Sequence, residues 1–392
     1  MNDTRPTAHS YTLWGGALSL FSGKVRSYLI KKGIPYREFY ASHPDFKERL
    51  RPIVRLGVTP LLETPQGEVL QDSTAIIEFM EQRLAIKSMM PATPAQRVVA
   101  RLFDAYGTEH LLLAAMHFRW SEPYLSEQRP FLNAEFGRVA YIGTDRETRL
   151  AAGARMISYF SGMAAALGIT AETAPAIETA YFDLLDLLDN HFQHVPYLLG
   201  GHPSIADFGM LAPLYAHLGR DPAPARLMAL RAPNVARWVE RMNLGVIEDA
   251  EFPDCTPTFP DDDALPPTIE PILSLMFRDW TPELQANSRC YNDWVAAHPQ
   301  MPSGQLVCLD GKRRVHPTLD LIDYPLRGVT IRRACAPQTL WHFDLAATEA
   351  RALTGAERER CAALMQRVGG EAALAITLSR PMHREDYVLT LG

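Results

Sequence analysis

Ser19 and Ser22 stand at the spacing of a redox C-x-x-C pair in the stretch LSLFSGKVRSYLIKKG, where a strand-like run gives way to an amphipathic helix. A hydroxyl at such a joint can cap the helix by accepting a backbone N–H, or donate its own proton to an anion. No cysteine precedes Cys255, so everything before it must do its chemistry without a thiol of its own. Thr59-Pro60 lies at the start of a later strand-like run, and Asp72-Ser73 opens the helix after it. Ser73 and the first amides of that helix offer donors to a carboxylate, and Asp72 offers a counter-charge to an ammonium. Both are also ordinary helix caps.

These residues sit on a recognisable order of elements. YTLWG reads as a strand and KVRSYLIKKG as a helix with Val25, Tyr28, Leu29 and Lys32 on one face, closed by Gly33. YREFYA returns as a strand and PDFKERLRPI as a weaker helical stretch. TPLLETPQGEVLQ reads as two strands turned at PQG, and DSTAIIEFMEQRL as a helix with Ile76, Ile77, Met80 and Leu84 along its stripe. The order βαβαββα over 11–85 is that of an α/β, thioredoxin-like domain. Residues 92–250 read as an all-α helical bundle, with prolines at helix starts or in loops and a capping box at Ser204 and Asp207. A Pro/Asp-rich linker at 251–267 precedes a small α+β C-terminal extension, 268–392, with strand-like runs in QLVCLDG, GVTIRRA, AITLS and YVLTLG.

A net charge of -6 makes no electrostatic case for nucleic acid or an anionic membrane. No apolar run is long enough for a spanning helix, and the opening MNDTRPTAHS lacks the apolar core of a secretion signal, so the expected location is cytoplasmic. The five cysteines, at irregular spacings, read as buried apolar thiols rather than disulfides or a metal site. His191 and His194 have no carboxylate or cysteine in register and read as a solvated face; no metal is expected. The arginines of GKRRVHP and TIRRA read as solvated strand faces.

With a thioredoxin-like domain ahead of a helical bundle, the chain resembles the cytosolic glutathione S-transferase superfamily over residues 11–245. The motifs that carry the likeness are Ser19, Thr59-Pro60 and Asp72-Ser73, similar to the serine-type zeta and theta and the cysteine-type omega classes. In those classes the catalytic residue ends the first strand, fourteen positions before the glycine closing the first helix, which here is Ser19. Ser22 competes for the role and otherwise reads as the helix N-cap. Lowering a thiol pKa by two units from about 8.5 takes roughly 2.7 kcal/mol. One hydrogen bond to a charged group supplies about 1.5–3 kcal/mol, and the helix N-terminus adds to it.

The resemblance implies that Pro60 is cis and that Thr59 pairs with the cysteinyl part of glutathione, the co-substrate. Asp72 and Ser73 would hold its γ-glutamyl end, and Lys47, with His43 and Arg51 as alternatives, its glycine carboxylate. His117, Trp120 and Tyr124, with His110 and Met116, fall where a hydrophobic electrophile would bind, although such a stripe is more often core than pocket. The family further implies a homodimer. The competing reading is a non-catalytic scaffold of the same fold that binds a ligand or protein, and the extension is the feature that favours it.

Overall fold

A computed structural model describes residues 10–84 and 86–392; the polar N-terminal segment discussed above lies, apart from Ser10, outside the described residues. The chain begins with β1 (Tyr11–Trp14), α1 (Leu20–Lys31) and β2 (Tyr36–Phe39). A π-helical turn, Phe46–Leu50, runs into α2 (Arg51–Val54), and β3 (Leu61–Glu63), β4 (Val69–Gln71) and α3 (Ser73–Arg83) complete the first domain. The four strands form one sheet in the order β2-β1-β3-β4, with β1 and β2 parallel and the other pairs antiparallel. Because successive side chains leave a strand on opposite faces, Leu13 and Leu62 enter the main core. Trp14 and Leu61 enter a smaller one with Phe46, Leu50 and Val54.

The bundle comprises α4 (Pro94–Ala105), α5 (Leu112–Trp120), α6 (Tyr124–Ala140), α7 (Arg146–Ser161), α8 (Ala174–Phe192), α9 (Ile205–Ala216), α10 (Pro222–Arg231) and α11 (Pro233–Met242). A π-helical segment, Tyr106–His110, joins α4 to α5. It crosses α9 so closely that a Cβ on Gly107 would lie 2.5 Å from the Gly209 carbonyl oxygen; only glycine permits that approach. The capping box forms as its spacing predicts: Asp207 accepts from the Ser204 amide at 2.9 Å, and Ser204 caps α9. Prolines 94, 175, 222 and 233 fall in first turns. Pro130 and Pro213, however, stand inside α6 and α9, where the sequence had placed prolines only at starts and in loops.

The Pro/Asp-rich segment is an ordered strap. Thr93 leaves α4 without a side-chain cap, and Asp263 supplies one from a distance, accepting from the Ala95 amide at 2.8 Å. Gln96 donates to the carbonyls of Pro260 and Ala264. The extension then adds α12 (Ile269–Ala297), the hairpin β5 (Leu321–Leu326) and β6 (Val329–Ala334), α13 (Pro337–Ala352), α14 (Gly355–Val368), α15 (Glu371–Leu374) and the hairpin β7 (Met382–Glu385) and β8 (Val388–Leu391).

Two of the four expected strand-like runs, within GVTIRRA and YVLTLG, are β6 and β8; QLVCLDG and AITLS form no named strand. Their partners β5 and β7 escaped the sequence reading. β5 buries alternate residues but carries Pro325, which marks it as non-central. Both hairpins turn on paired positive φ angles, at Arg327-Gly328 and Asp386-Tyr387. A single apolar cluster runs from Leu13 through the bundle to Leu391, and Val388 closes the second core of the first domain. The extension is thus packed into both earlier regions.

Candidate functional site

The strand register gathers the sequence motifs. Trp14 lies opposite Leu61 and Leu61 opposite Gln71, so Gly15, Pro60 and Asp72 all emerge at one end of the sheet. The Thr59–Pro60 bond is cis. Ser19 lies beyond the end of β1, in the loop that enters α1 at the same sheet end, and is half-buried.

It is Ser19, and not Ser22, that caps α1: its Oγ accepts from the Ser22 amide at 3.2 Å. The helix begins at Leu20, four residues before the apolar periodicity becomes visible, which moves the cap back from Ser22. Accepting that bond leaves the Ser19 O–H proton free to be given to an anion. Ser22 is fully buried and its Oγ has no hydrogen-bond partner among the described residues. Gly15 lies directly against it, since a Cβ there would come within 2.5 Å of the Ser22 oxygen.

The loop before Ser19 is held from the bundle. Arg119 on α5 donates to the Leu18 carbonyl at 3.1 Å and to the Ala216 carbonyl at 2.8 Å. It also grips Asp221 through Nε and Nη2 at 2.6 and 2.8 Å, and both partners are buried. Sequence reasoning missed Arg119; its only local signal is a charge in an otherwise apolar helical run.

Asp72 is the most heavily engaged residue of the set. Its φ of 80° is unusual for a residue with a side chain. Oδ1 accepts from the amides of Thr74 and Ala75 at 3.0 and 3.1 Å, capping α3. Oδ2 accepts from Gln338 Nε2 at 3.1 Å, and Arg384 Nη1 lies 3.8 Å away. His342 Nε2 is 3.9 Å from Oδ1, and its Nδ1 meets Glu109 at 2.5 Å. Glu109, on the π-helical segment, also accepts from Thr339 at 3.0 Å.

Burial alone would raise the Asp72 carboxyl, but Arg384 and His342 hold it well below the usual carboxylate range. Burial likewise opposes the charged His342, yet Glu109 and Asp72 outweigh it and push its pKa up to about 9. Gln338, His342 and Arg384 all belong to the extension, and nothing in the local sequence announces their meeting with Asp72. Under the first turn of α3, buried Lys24 bridges Asp104 at 2.5 Å and Thr74 at 2.7 Å.

The remaining candidates are dispersed. Ser73 is buried at the first position of α3. Lys47 and Arg51 are exposed on and just after the first π-helical turn, while His43 packs against Trp14 and Phe39. His117 is buried between Ser121 (3.0 Å) and Glu178 (2.9 Å), and Tyr124 donates to the same Glu178 at 2.9 Å. Trp120 stacks on Phe136. An open cavity of about 430 Å³ lies instead beside the loop that leads to Ser19, lined by Ala17, Arg26, Tyr40, His43, Ile142 and Tyr215 among others. His117, Trp120 and Tyr124 are not part of its lining.

Two readings change outright. His191 is no solvated residue: it is buried and its Nδ1 meets Thr268 at 2.7 Å, tying α8 to the start of α12, while His194 is exposed. His110 faces a buried carboxylate, Glu283, at 2.6 Å. The same Glu283 pairs with Arg333 at 2.7 Å, so that arginine of TIRRA is buried rather than on a solvated strand face.

Among known proteins, residues 18–83 match the family model of the glutathione S-transferase N-terminal domain and residues 171–241 that of the C-terminal domain. Both matched segments end before the extension. A glutathione S-transferase of Pseudomonas putida F1 is 30% identical over 91 residues, 23% of this chain, and the match spans 40% of that protein's length. The solved glutathione S-transferase of Rhodospirillum rubrum F11 is 17% identical with a TM-score of 0.37, covering 67% of this chain and 91% of that one. The solved beta-etherase of Sphingobium sp. strain SYK-6 is 18% identical with a TM-score of 0.40, covering 67% and 98%.

Proposed function

The chain belongs to the glutathione S-transferase superfamily, and from that premise we propose that it binds glutathione at the sheet end where Gly15, Pro60 and Asp72 converge and directs its thiolate at a hydrophobic electrophile. The observation that supports this reading is the rung Trp14–Leu61–Gln71, which brings the Ser19 loop, Thr59-Pro60 and Asp72-Ser73 to the same end of the sheet.

Ser19 donates its free O–H to the glutathione sulfur while its oxygen keeps capping α1. The hydrogen bond and the N-terminal dipole of α1 both favour the thiolate, by about 1.5–3 and 0.3–1 kcal/mol. Thr59 pairs with the cysteinyl backbone. Ser73 takes the γ-glutamyl carboxylate at the start of α3, whose next two amides Asp72 already caps, and Asp72 takes the ammonium, sharing its carboxylate with Gln338. Lys47 is the exposed cation for the glycine carboxylate. The electrophile enters the 430 Å³ cavity beside Ala17, a volume suited to a small apolar molecule. The thiolate attacks it, a carbon–sulfur bond forms, and a leaving group or proton shift completes the turnover. The thiolate equally serves conjugation, isomerisation, dehalogenation or ether cleavage. The family resemblance supports a cytoplasmic homodimer.

The test is the ultraviolet thiolate absorbance of glutathione titrated with pH on wild type and on Ser19→Ala. A depressed thiol pKa that rises in the variant supports the reading; binding with no shift in either protein refutes thiolate activation. A second reading, a scaffold of the same fold, is favoured by one observation: the chain already supplies Asp72 with Gln338, Arg384 and His342. Immobilised glutathione separates the two, because a scaffold is not retained and Asp72→Ala then changes nothing.

A further inference from the structure

Cys335 directly follows β6 and is held by three contacts, two to Asn287 on α12 and one to Asp320 just before β5. Its Sγ lies 3.8 Å from the Asn287 carbonyl, the next amide, of Ala336, donates to Asn287 Oδ1 at 3.0 Å, and its own amide donates to the Asp320 carbonyl at 2.7 Å. Cys290 follows Asn287 by one helical turn, so it presents its thiol on the same face of α12. Cys335 Sγ, resting on the Asn287 carbonyl, therefore lies over the turn of α12 that carries Cys290. Their exposures differ: Cys335 is fully buried, whereas Cys290 is half-buried and lines an open cavity of about 450 Å³ with Arg289, Asp293, Asp320 and His298.

We propose that Cys290 and Cys335 are a reversible dithiol–disulfide pair, with Cys290 the attacking thiol that a peroxide reaches through this cavity and Cys335 the resolving one. The Cys290 sulfur attacks one peroxide oxygen and the O–O bond breaks. The released hydroxide leaves with the Cys290 proton as water, and Cys290 becomes a sulfenic acid. The Cys335 sulfur then attacks Cys290, the S–O bond breaks, and a second water carries away the Cys335 proton. Two thiols and one hydrogen peroxide thus give one disulfide and two waters; an external thiol reverses it by exchange.

Three features select this pair. The Cys290 thiol pKa is lowered, with the neighbouring Cys335 thiol outweighing burial and the Asp320 and Asp293 carboxylates, whereas burial raises those of Cys255 and Cys361, and of Cys308 beside Asp310. A low thiol pKa with access is what peroxide oxidation requires. The carboxylates of Asp293, Asp320 and Asp323 around the cavity also favour a neutral oxidant over an anionic disulfide. The product would clamp the β5–β6 hairpin to α12.

The experiment treats the full-length native chain with hydrogen peroxide and follows intact mass and peptide maps. The expected result is loss of two hydrogens, a Cys290–Cys335 linked peptide and full reversal by dithiothreitol. In Cys335→Ser, Cys290 stops at a sulfenic acid that dimedone traps; in Cys290→Ser, no linked peptide forms. Oxidation that reaches Cys255 first, or that carries wild-type Cys290 to sulfinic acid without linkage, overturns the proposal. If a serine variant fails to fold, the wild-type linkage map alone decides.

Discussion

Gln338 donates its side-chain amide to the carboxylate of Asp72 at 3.1 Å, across 266 positions of sequence. With Arg384 and His342 beside it, this contact makes the extension part of the wall around the residue assigned to the γ-glutamyl ammonium.

Replacing Asp72 by Asn keeps an N-cap and a residue that tolerates positive φ, but removes the charge that Arg384 and His342 face. The expected outcome is a folded protein with weaker retention on immobilised glutathione and a lowered His342 pKa, read by NMR titration of the imidazole. An unchanged His342 titration would show that Glu109 alone sets it.

Stability should fall on the alkaline side. The folded pKa of His342, about 9, lies above its ordinary 6.5. Its contribution is therefore full below about pH 6.5 and lost as pH rises through about 9, an effect on the order of 3 kcal/mol. Asp72, depressed in the fold, acts oppositely and withdraws its share only on acidification below its ordinary range. Urea midpoints of wild type and His342→Gln between pH 6 and 9 check this: the slope should flatten in the variant.

Ser19→Gly and Ser19→Ala separate the two uses of one hydroxyl. As a cap, alanine costs about 0.5–2 kcal/mol and glycine only about a few tenths, since glycine is itself tolerated at N-cap. As a thiolate donor, both lose the hydrogen bond alike, and the bound thiol pKa should rise by about one to two units. Equal thiol shifts with unequal melting temperatures are expected.

Arg119→Met leaves Asp221 buried without its partner, a loss of about 3–5 kcal/mol, and releases the Leu18 carbonyl ahead of Ser19. Arg119→Lys keeps a charge but not the two-pronged grip. Thermal unfolding should rank wild type above the lysine variant and that above the methionine variant, while a lysine variant equal to wild type would mean that only the charge matters.

Removing 268–392 should yield an aggregating or dye-binding product, because the apolar cluster that begins at Leu13 continues to Leu391 without a break. A soluble truncated chain with cooperative unfolding would contradict that continuity.

Local pattern carried the first domain's order of elements, the two faces of its strands and the Ser204–Asp207 box, because these depend on alternation, helical period and caps a few residues apart. The grouping of Ser19, Pro60 and Asp72 was legible only through resemblance, since strand register joins residues far apart in the chain. The cap on α1 was misplaced because LFSG adds no periodic signal to mark where the helix starts. Tertiary structure alone decided that Arg119 holds the Ser19 loop, that His191 is buried against Thr268, and that Gln338, His342 and Arg384 converge on Asp72. Those charges and amides look solvated wherever they stand in the chain. They become partners only when packing excludes water and leaves each buried polar group to find another across the fold.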